Sequence, residues 1–362
     1  MIWLYAGFIA FVVLMLTLDL GVFHRKAHVV SVREALAWSA MWITLGLTFG
    51  VFVYFAYDGQ WLGLGFDPDP ADGLINHGWR ATQKYLTGYI IEESLSMDNI
   101  FVIAMMFGYF GVPALYRHRV LFWGILGAVV MRGMMIGLGA KLIAEFHWVL
   151  YLFGVFLILT ALRMLFLKAE HKDPTRNLVV RLARRWFPIT ATFHGEHFIV
   201  RAGTQASHES RQPGVPAVAD EVVDQAKPGT LLLTPLALAL VVIETTDVVF
   251  AVDSIPAIFA ITADPFLVFT SNVFAILGLR SLFFALAGMM DKFRYLNVSL
   301  AVVLAVVGVK MLTAQWLKAA LGEHFNLYLL TTVFLILAAG VVVSLVADHR
   351  QKPRSAAGSQ AP

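Results

Sequence analysis

Three carboxylates, Glu244, Asp247 and Asp253, sit in the stretch 243–256, which is otherwise almost wholly apolar. A second stretch, 91–101, carries Glu92, Glu93 and Asp98 and runs on into Val102, Ile103, Ala104 and Met105. A charged side chain at the centre of a membrane-spanning helix costs about 2.5–3.5 kcal/mol on insertion scales. Several such charges persist only where they face a protein interior and neutralise something. The simplest candidate is a cation.

Spacing limits how these acids can cooperate. Glu244 and Asp247 are three residues apart and share a helix face. Asp253, and likewise Asp98 relative to Glu92, falls about 120° or more away on a straight helix. Pro256 offers a way round this. Its ring excludes the hydrogen bond to the Val252 carbonyl and is expected to kink or break the helix beside Asp253. Carboxylates, a freed Val252 carbonyl and the amides of Asn99 and Asn272 together form an oxygen-rich set. Such ligands suit Mg2+, Ca2+ or Mn2+ and not a soft ion. Asp19, near the end of the first apolar stretch, is a candidate mouth residue and equally an interfacial acid. The competing reading is structural: Arg132, Arg163, Arg280 and Lys310 also lie in apolar stretches and could serve as counter-ions. Glu93 reads as structural. The 13 methionines are scattered, which suits gap-filling core and not a copper path.

The elements that must position these groups are helices in a bilayer. Hydrophobic residues make up 59% of the chain and charged residues only 14%. A soluble domain carries roughly 25% charged residues. The apolar runs give an all-α polytopic membrane protein with about nine spans, at 2–23, 35–57, 85–110, 120–143, 148–167, 231–252, 265–290, 298–317 and 327–346. The chain divides into a first membrane part at 1–167, a cytoplasmic segment at 168–229, a second membrane part at 230–347 and a disordered tail at 348–362. Residues 2–23 lack a basic leader and read as a retained span. Basic residues collect after spans one, three, five and seven and in the tail, which places the N-terminus outside and the C-terminus in the cytoplasm. In the polar segment, 177–186 has apolar and arginine faces that suit a surface helix, 193–200 reads as a strand or hairpin, and 205–225 as a linker. There are no cysteines, so there is no disulfide, thiolate ligand or cysteine nucleophile. Asp98 and Asp247 each open an Asp-x-x-Phe motif in spans that run in opposite directions, as an inverted repeat requires.

At these residues the sequence resembles the TerC/Alx family of bacterial integral membrane proteins. The resemblance rests on Glu-Glu-Ser-Leu-Ser-Met-Asp-Asn-Ile-Phe-Val at 92–102 and Ile-Glu-Thr-Thr-Asp-Val-Val-Phe-Ala-Val-Asp-Ser-Ile-Pro-Ala at 243–257. Ser-Asn-Val-Phe-Ala-Ile-Leu-Gly-Leu-Arg-Ser-Leu at 271–282 and Phe-His-Gly-Glu-His-Phe-Ile-Val-Arg at 193–201 add to it. It covers about residues 1–347. It implies a fold related to the LysE exporter superfamily and handling of divalent metal, chiefly Mn2+ export, with links to tellurite resistance and alkaline stress. It places the intramembrane metal ligands at Glu92, Asp98, Glu244, Asp247 and Asp253.

The expectation is therefore an exporter of Mn2+, with Ca2+ as the other transported ion considered, no permanently bound cofactor, and proton exchange as a natural coupling. The bilayer of the bacterial inner membrane is its setting, and nucleic acid is not a partner. Two other classes stay open: a factor that assists other membrane proteins through the cytoplasmic segment, and an intramembrane aspartyl protease.

Overall fold

The computed structural model describes residues 2–18, 31–166, 181–182, 185, 187–203, 221–286, 296–321 and 325–356. The elements in chain order are α1 (Ile2–Leu18), α2 (Val32–Asp58), α3 (Gly78–Tyr109), α4 (Ala114–Glu145), α5 (Val149–Phe166), β1 (Ile199–Arg201), α6 (Glu221–Gln225), β2 (Leu231–Leu233), α7 (Pro235–Phe259), α8 (Pro265–Leu286), α9 (Leu296–Leu321) and α10 (Phe325–Ala356). Among the described residues, α2, α4, α5, α7, α8 and α10 are long and apolar enough to cross a membrane. The apolar stretches of α1 and α9, Ile2–Leu18 and Val298–Thr313, are shorter. α3 has the length, at 32 residues, but Glu92, Glu93 and Asp98 interrupt its apolar character.

Local chemistry sets the helix ends. Ser31 caps α2 by accepting from the Glu34 amide at 3.3 Å. Asp264 caps α8 by accepting from the amides of Phe266 and Leu267 at 3.0 and 3.4 Å, directly before Pro265. Gly111, at a φ of 62°, turns the chain between α3 and α4. The sixth apolar stretch begins later than its hydropathy suggests. Residues 231–233 form β2, antiparallel to β1, and the helix starts only at Pro235. The hairpin packs Val200 and Leu232 against Val223 of α6, so 221–225 is helix where the composition reads as linker. α10 continues to Ala356, past residue 348 where the sequence reads as tail. The surface helix expected at 177–186 and the linker at 204–220 lie largely outside the described residues, as does Asp19.

α8 is the hub and is buried along almost its whole length. α2, α3 and α4 all pack on it. Phe8 of α1, Phe49 of α2 and Phe274 of α8 meet with ring centroids 4.7–5.7 Å apart. Packing follows the pattern that a two-fold relation of α3–α4–α5 to α7–α8–α9 would give. α3 packs on α8 as α7 packs on α4, and α5 meets α7 as α9 meets α3. The related helices also touch each other in all three pairs, α3–α7, α4–α8 and α5–α9.

A buried polar knot ties the loop 59–77 to the α7–α8 turn. Lys84 binds Asp69 at 2.8 Å and Asp72 at 2.9 Å. Asp69 also accepts from the Thr262 hydroxyl, and from the Ala263 amide at 2.8 Å. Tyr57 donates to Asp264 at 2.7 Å. Close by, Lys310 of α9 donates to the Ala260 carbonyl at the end of α7, where a cation offsets the helix dipole.

Candidate functional site

The acids of α3 and α7 meet around one arginine. Arg132 projects from α4 into the protein interior and is 1% exposed. Its Nη2 and Nε grip both oxygens of Asp247, at 2.8 and 3.1 Å, in the bidentate geometry that suits a guanidinium. Its Nη1 donates to Glu92 Oε1 of α3. The same Nη1 reaches Asn272 Oδ1 of α8 at 3.3 Å and Ser254 Oγ of α7 at 3.4 Å. Four helices thus contribute to one ring. Ser254 joins Asp247 because seven residues make about two turns of helix.

Glu244 approaches from one turn before Asp247. Its carboxylate lies against Gly127 of α4, so closely that a Cβ there would collide with it. One oxygen each of Glu92 and Glu244, and the Asn272 amide nitrogen, are buried without a hydrogen-bond partner. These three orphaned groups belong to the ring or lie beside it. Buried polar atoms are usually satisfied, so three unsatisfied ones at one place make the ring a candidate ligand site.

A narrow cleft opens beside the ring, lined by Asn99, Met106, Gly124, Thr246, Asp247 and Arg280 among others. It runs between α3, α4, α7 and α8 toward the end of the bundle where Phe193 and Tyr116 pack. Asn99 and Asp247 line it together, which places Asn99 beside the ring and not within it.

Two expected members, Asp253 and Val252, fall elsewhere, and the expected break at Pro256 does not form. Asp253 is turned onto α5, where it accepts from Thr160 at 3.2 Å. Val252 is 45% exposed on the outer face of α7. Pro256 does not break α7, which continues to Phe259. The proline sits in the last turn, where the single hydrogen bond it removes costs the helix little of its length. Straight-helix periodicity therefore holds, and the acids point in different directions. Asp98 lies within α3, but its side chain is outside the described residues. Glu93 faces away from the ring, toward Gly278 of α8.

Among the described residues, no three acidic or imidazole side chains stand as a ready-made metal site. The ring is held by an internal cation instead. Sequence reasoning treated Arg132 as one of four equivalent counter-ions and missed Ser254 and Gly127. Within that set it is Arg132 that holds the ring; Arg163 is exposed on α5, on the side where Asp253 lies, and Lys310 donates to the end of α7. A glycine five residues before an arginine carries no signal by itself. Gly127 shows its use only once α4 and α7 are set side by side.

A bundle of long apolar helices with a charged ring held in its interior is a polytopic integral membrane protein. The chain belongs to the integral membrane protein TerC family, whose model matches residues 77–352. It is 45% identical over 352 residues to an uncharacterised membrane protein of Myxococcus xanthus, covering 97% of this chain and 94% of the relative. It is 40% identical over 336 residues to the Escherichia coli K12 protein named "Putative membrane-bound redox modulator Alx", covering 91% and 93%. A Rickettsia bellii membrane protein is 34% identical over 337 residues, covering 93% and 96%. No solved structure matches the chain.

Proposed function

We propose that this protein is a secondary transporter of hard divalent cations, with Mn2+ the foremost substrate and Ca2+ the second, working in the export direction across the bacterial inner membrane. The observation that supports this reading is the ring itself. Glu92, Asp247 and Glu244 bring carboxylates from two helices to one buried place, with Asn272 beside them and a cleft leading in. Oxygen ligands of this kind select hard divalent ions. Of the ligand set proposed from the sequence, Glu92, Asp98, Glu244, Asp247 and Asp253, Asp98 stays a proposed member on α3, with its side chain outside the described residues. Glu92, Glu244 and Asp247 form the central group. Asp253, half-buried against Thr160, serves as a separate relay on the α5 side. Proton exchange is the coupling consistent with clustered carboxylates, which raise one another's proton affinity. An N-terminus outside and a C-terminus in the cytoplasm follow from the basic loops, and put the cleft on the cytoplasmic side.

The redox description carried by the Escherichia coli relative has no thiol chemistry to rest on in this chain, which contains no cysteine. The aspartyl-protease reading loses support on α7. Asp247 is committed to Arg132, and Asp253 faces another helix. A role in assisting other membrane proteins is compatible with transport, and its platform would be the hairpin segment.

The deciding experiment is metal flux in proteoliposomes with a pH gradient imposed and then reversed. Mn2+ movement that follows the reversed gradient, and disappears with Asp247→Asn, is the expected result. Liposomes no more permeable to Mn2+ than empty ones would refute transport of that ion.

A further inference from the structure

Resting on the transport reading above, we infer that Arg132 is a tethered competitor for the transported ion: it occupies the ion's seat in the empty protein and must swing out before a divalent cation can bind. Oxygen supply carries the argument. The guanidinium engages both oxygens of Asp247, one of Glu92, and the side-chain oxygens of Asn272 and Ser254. At the ring, that leaves Glu92 Oε2 and Glu244 Oε2 as buried carboxylate oxygens without a hydrogen-bond partner among the described residues. A hard divalent ion takes about six oxygens. It cannot assemble them while the arginine stays.

The exchange is also favourable in charge. A guanidinium buried between carboxylates neutralises one of them, whereas a divalent ion neutralises two. A monovalent ion offers no more charge than the arginine it would displace and must also give up its own hydration. The tethered cation therefore sets a threshold that favours divalent ions.

The way out exists in the fold. Helical side chains tilt toward the N-terminus of their own helix, so Arg132 leans over the preceding turn. Ala128, one turn back on α4, lines the cleft, and Asp247 lines it too. The proposed exit is a rotamer change that turns the guanidinium from the ring toward that cleft, whose wall also carries Arg280. On release of the ion the arginine returns, which keeps the empty seat from holding uncompensated buried charge.

The test compares Mn2+ affinity by calorimetry in the purified wild-type chain, Arg132→Gln and Arg132→Lys. Removing the competitor is expected to tighten Mn2+ binding by about tenfold or more in Arg132→Gln. Proteoliposome flux should slow in the same variant, because the ion is no longer pushed off. Arg132→Lys, which keeps a tethered cation, should stay near the wild-type affinity. A monodisperse Arg132→Gln protein that binds Mn2+ no more tightly than wild type overturns the inference and leaves the transport reading standing. Wild-type protein that binds no Mn2+ overturns the transport reading itself, and this inference with it. Should Arg132→Gln fail to fold, wild-type protein decides. Phenylglyoxal should modify Arg132 faster once Mn2+ is added, read by mass spectrometry of the peptide. An unchanged or slower rate overturns the displacement.

Discussion

Arg132 fixes what each neighbouring side chain can do. It holds Glu92 and Asp247 together across α3, α4 and α7, with Glu92 fully buried and Asp247 at the wall of the cleft. Removing one partner of a buried charged pair costs about 3–5 kcal/mol, because the remaining charge is left uncompensated. Glu92→Gln is therefore expected to lower thermal stability in detergent as well as to abolish Mn2+ flux. Asp253→Asn keeps the hydrogen bond from Thr160 within reach and gives up only the attraction of an exposed Arg163, so it should slow flux while changing the melting temperature far less than Glu92→Gln. A loss of stability for Asp253→Asn equal to that of Glu92→Gln would contradict this division. The acids themselves were legible in the sequence, because charge inside an apolar run has few explanations. Their common partner was not. Arg132 lies 115 residues from Asp247, and nothing in the chain states which way α4 is rotated relative to α7. Periodicity did foretell that Asp253 would face elsewhere; the proline that was expected to cancel it falls too close to the helix end to do so.

Between elements, glycines set how close the helices lie. A Cβ on Gly127 would strike the Glu244 carboxylate, so this single missing side chain lets α7 bring a charged group against the wall of α4. Gly127→Ala is expected to push Glu244 out of the ring, at a cost of about 1–3 kcal/mol from overpacking. Its sharper signature is a loss of Mn2+ affinity that the double variant Gly127→Ala, Glu244→Asp partly restores, since the shorter side chain fits again. No restoration would mean that Glu244 does not contribute to the ion's seat. On the far side of the bundle, α5 and α9 meet backbone to backbone. A Cβ on Gly308 would come within 2.8 Å of Ile158 and 2.9 Å of the Gly154 carbonyl. Small residues at such crossings are how membrane helices approach closely. The spans were legible as apolar runs, and the turns at Gly111 and Pro265 were marked by the residues that make them. The late start of α7 was not, because Leu231, Leu232 and Leu233 are as apolar in a strand as in a span.

At the scale of the whole molecule, the ring works only if the two halves stay in register. The Lys84 knot is what joins them at the end away from the cleft. Asp69 comes from the loop before α3, and Thr262 and Ala263 come from the turn between α7 and α8. The knot lies outside the spans, so its protons can be followed by pH. Burial alone would raise the Asp69 carboxyl, but the Lys84 ammonium and the hydrogen bonds from Lys84, Thr262 and the Ala71 amide outweigh it and hold the group below the usual range. A carboxyl whose folded value is depressed contributes stability that is present above its unfolded value, 3.8, and is lost as pH falls through the folded value. Asp264 moves the other way. Burial and the nearby Asp69 charge raise it, against the hydrogen bond from Tyr57 and the backbone amides. Its ionisation therefore costs stability as pH rises through its folded value. Comparing wild type with Asp69→Asn isolates the first effect. At neutral pH the variant should melt earlier, by about 3 kcal/mol, the low end for a broken buried pair because Lys84 keeps Asp72. The gap should close on acidification below about pH 4, where wild type loses the same contribution. A gap that widens in acid would reverse the sign assigned to Asp69 and remove the knot as the tie between the halves.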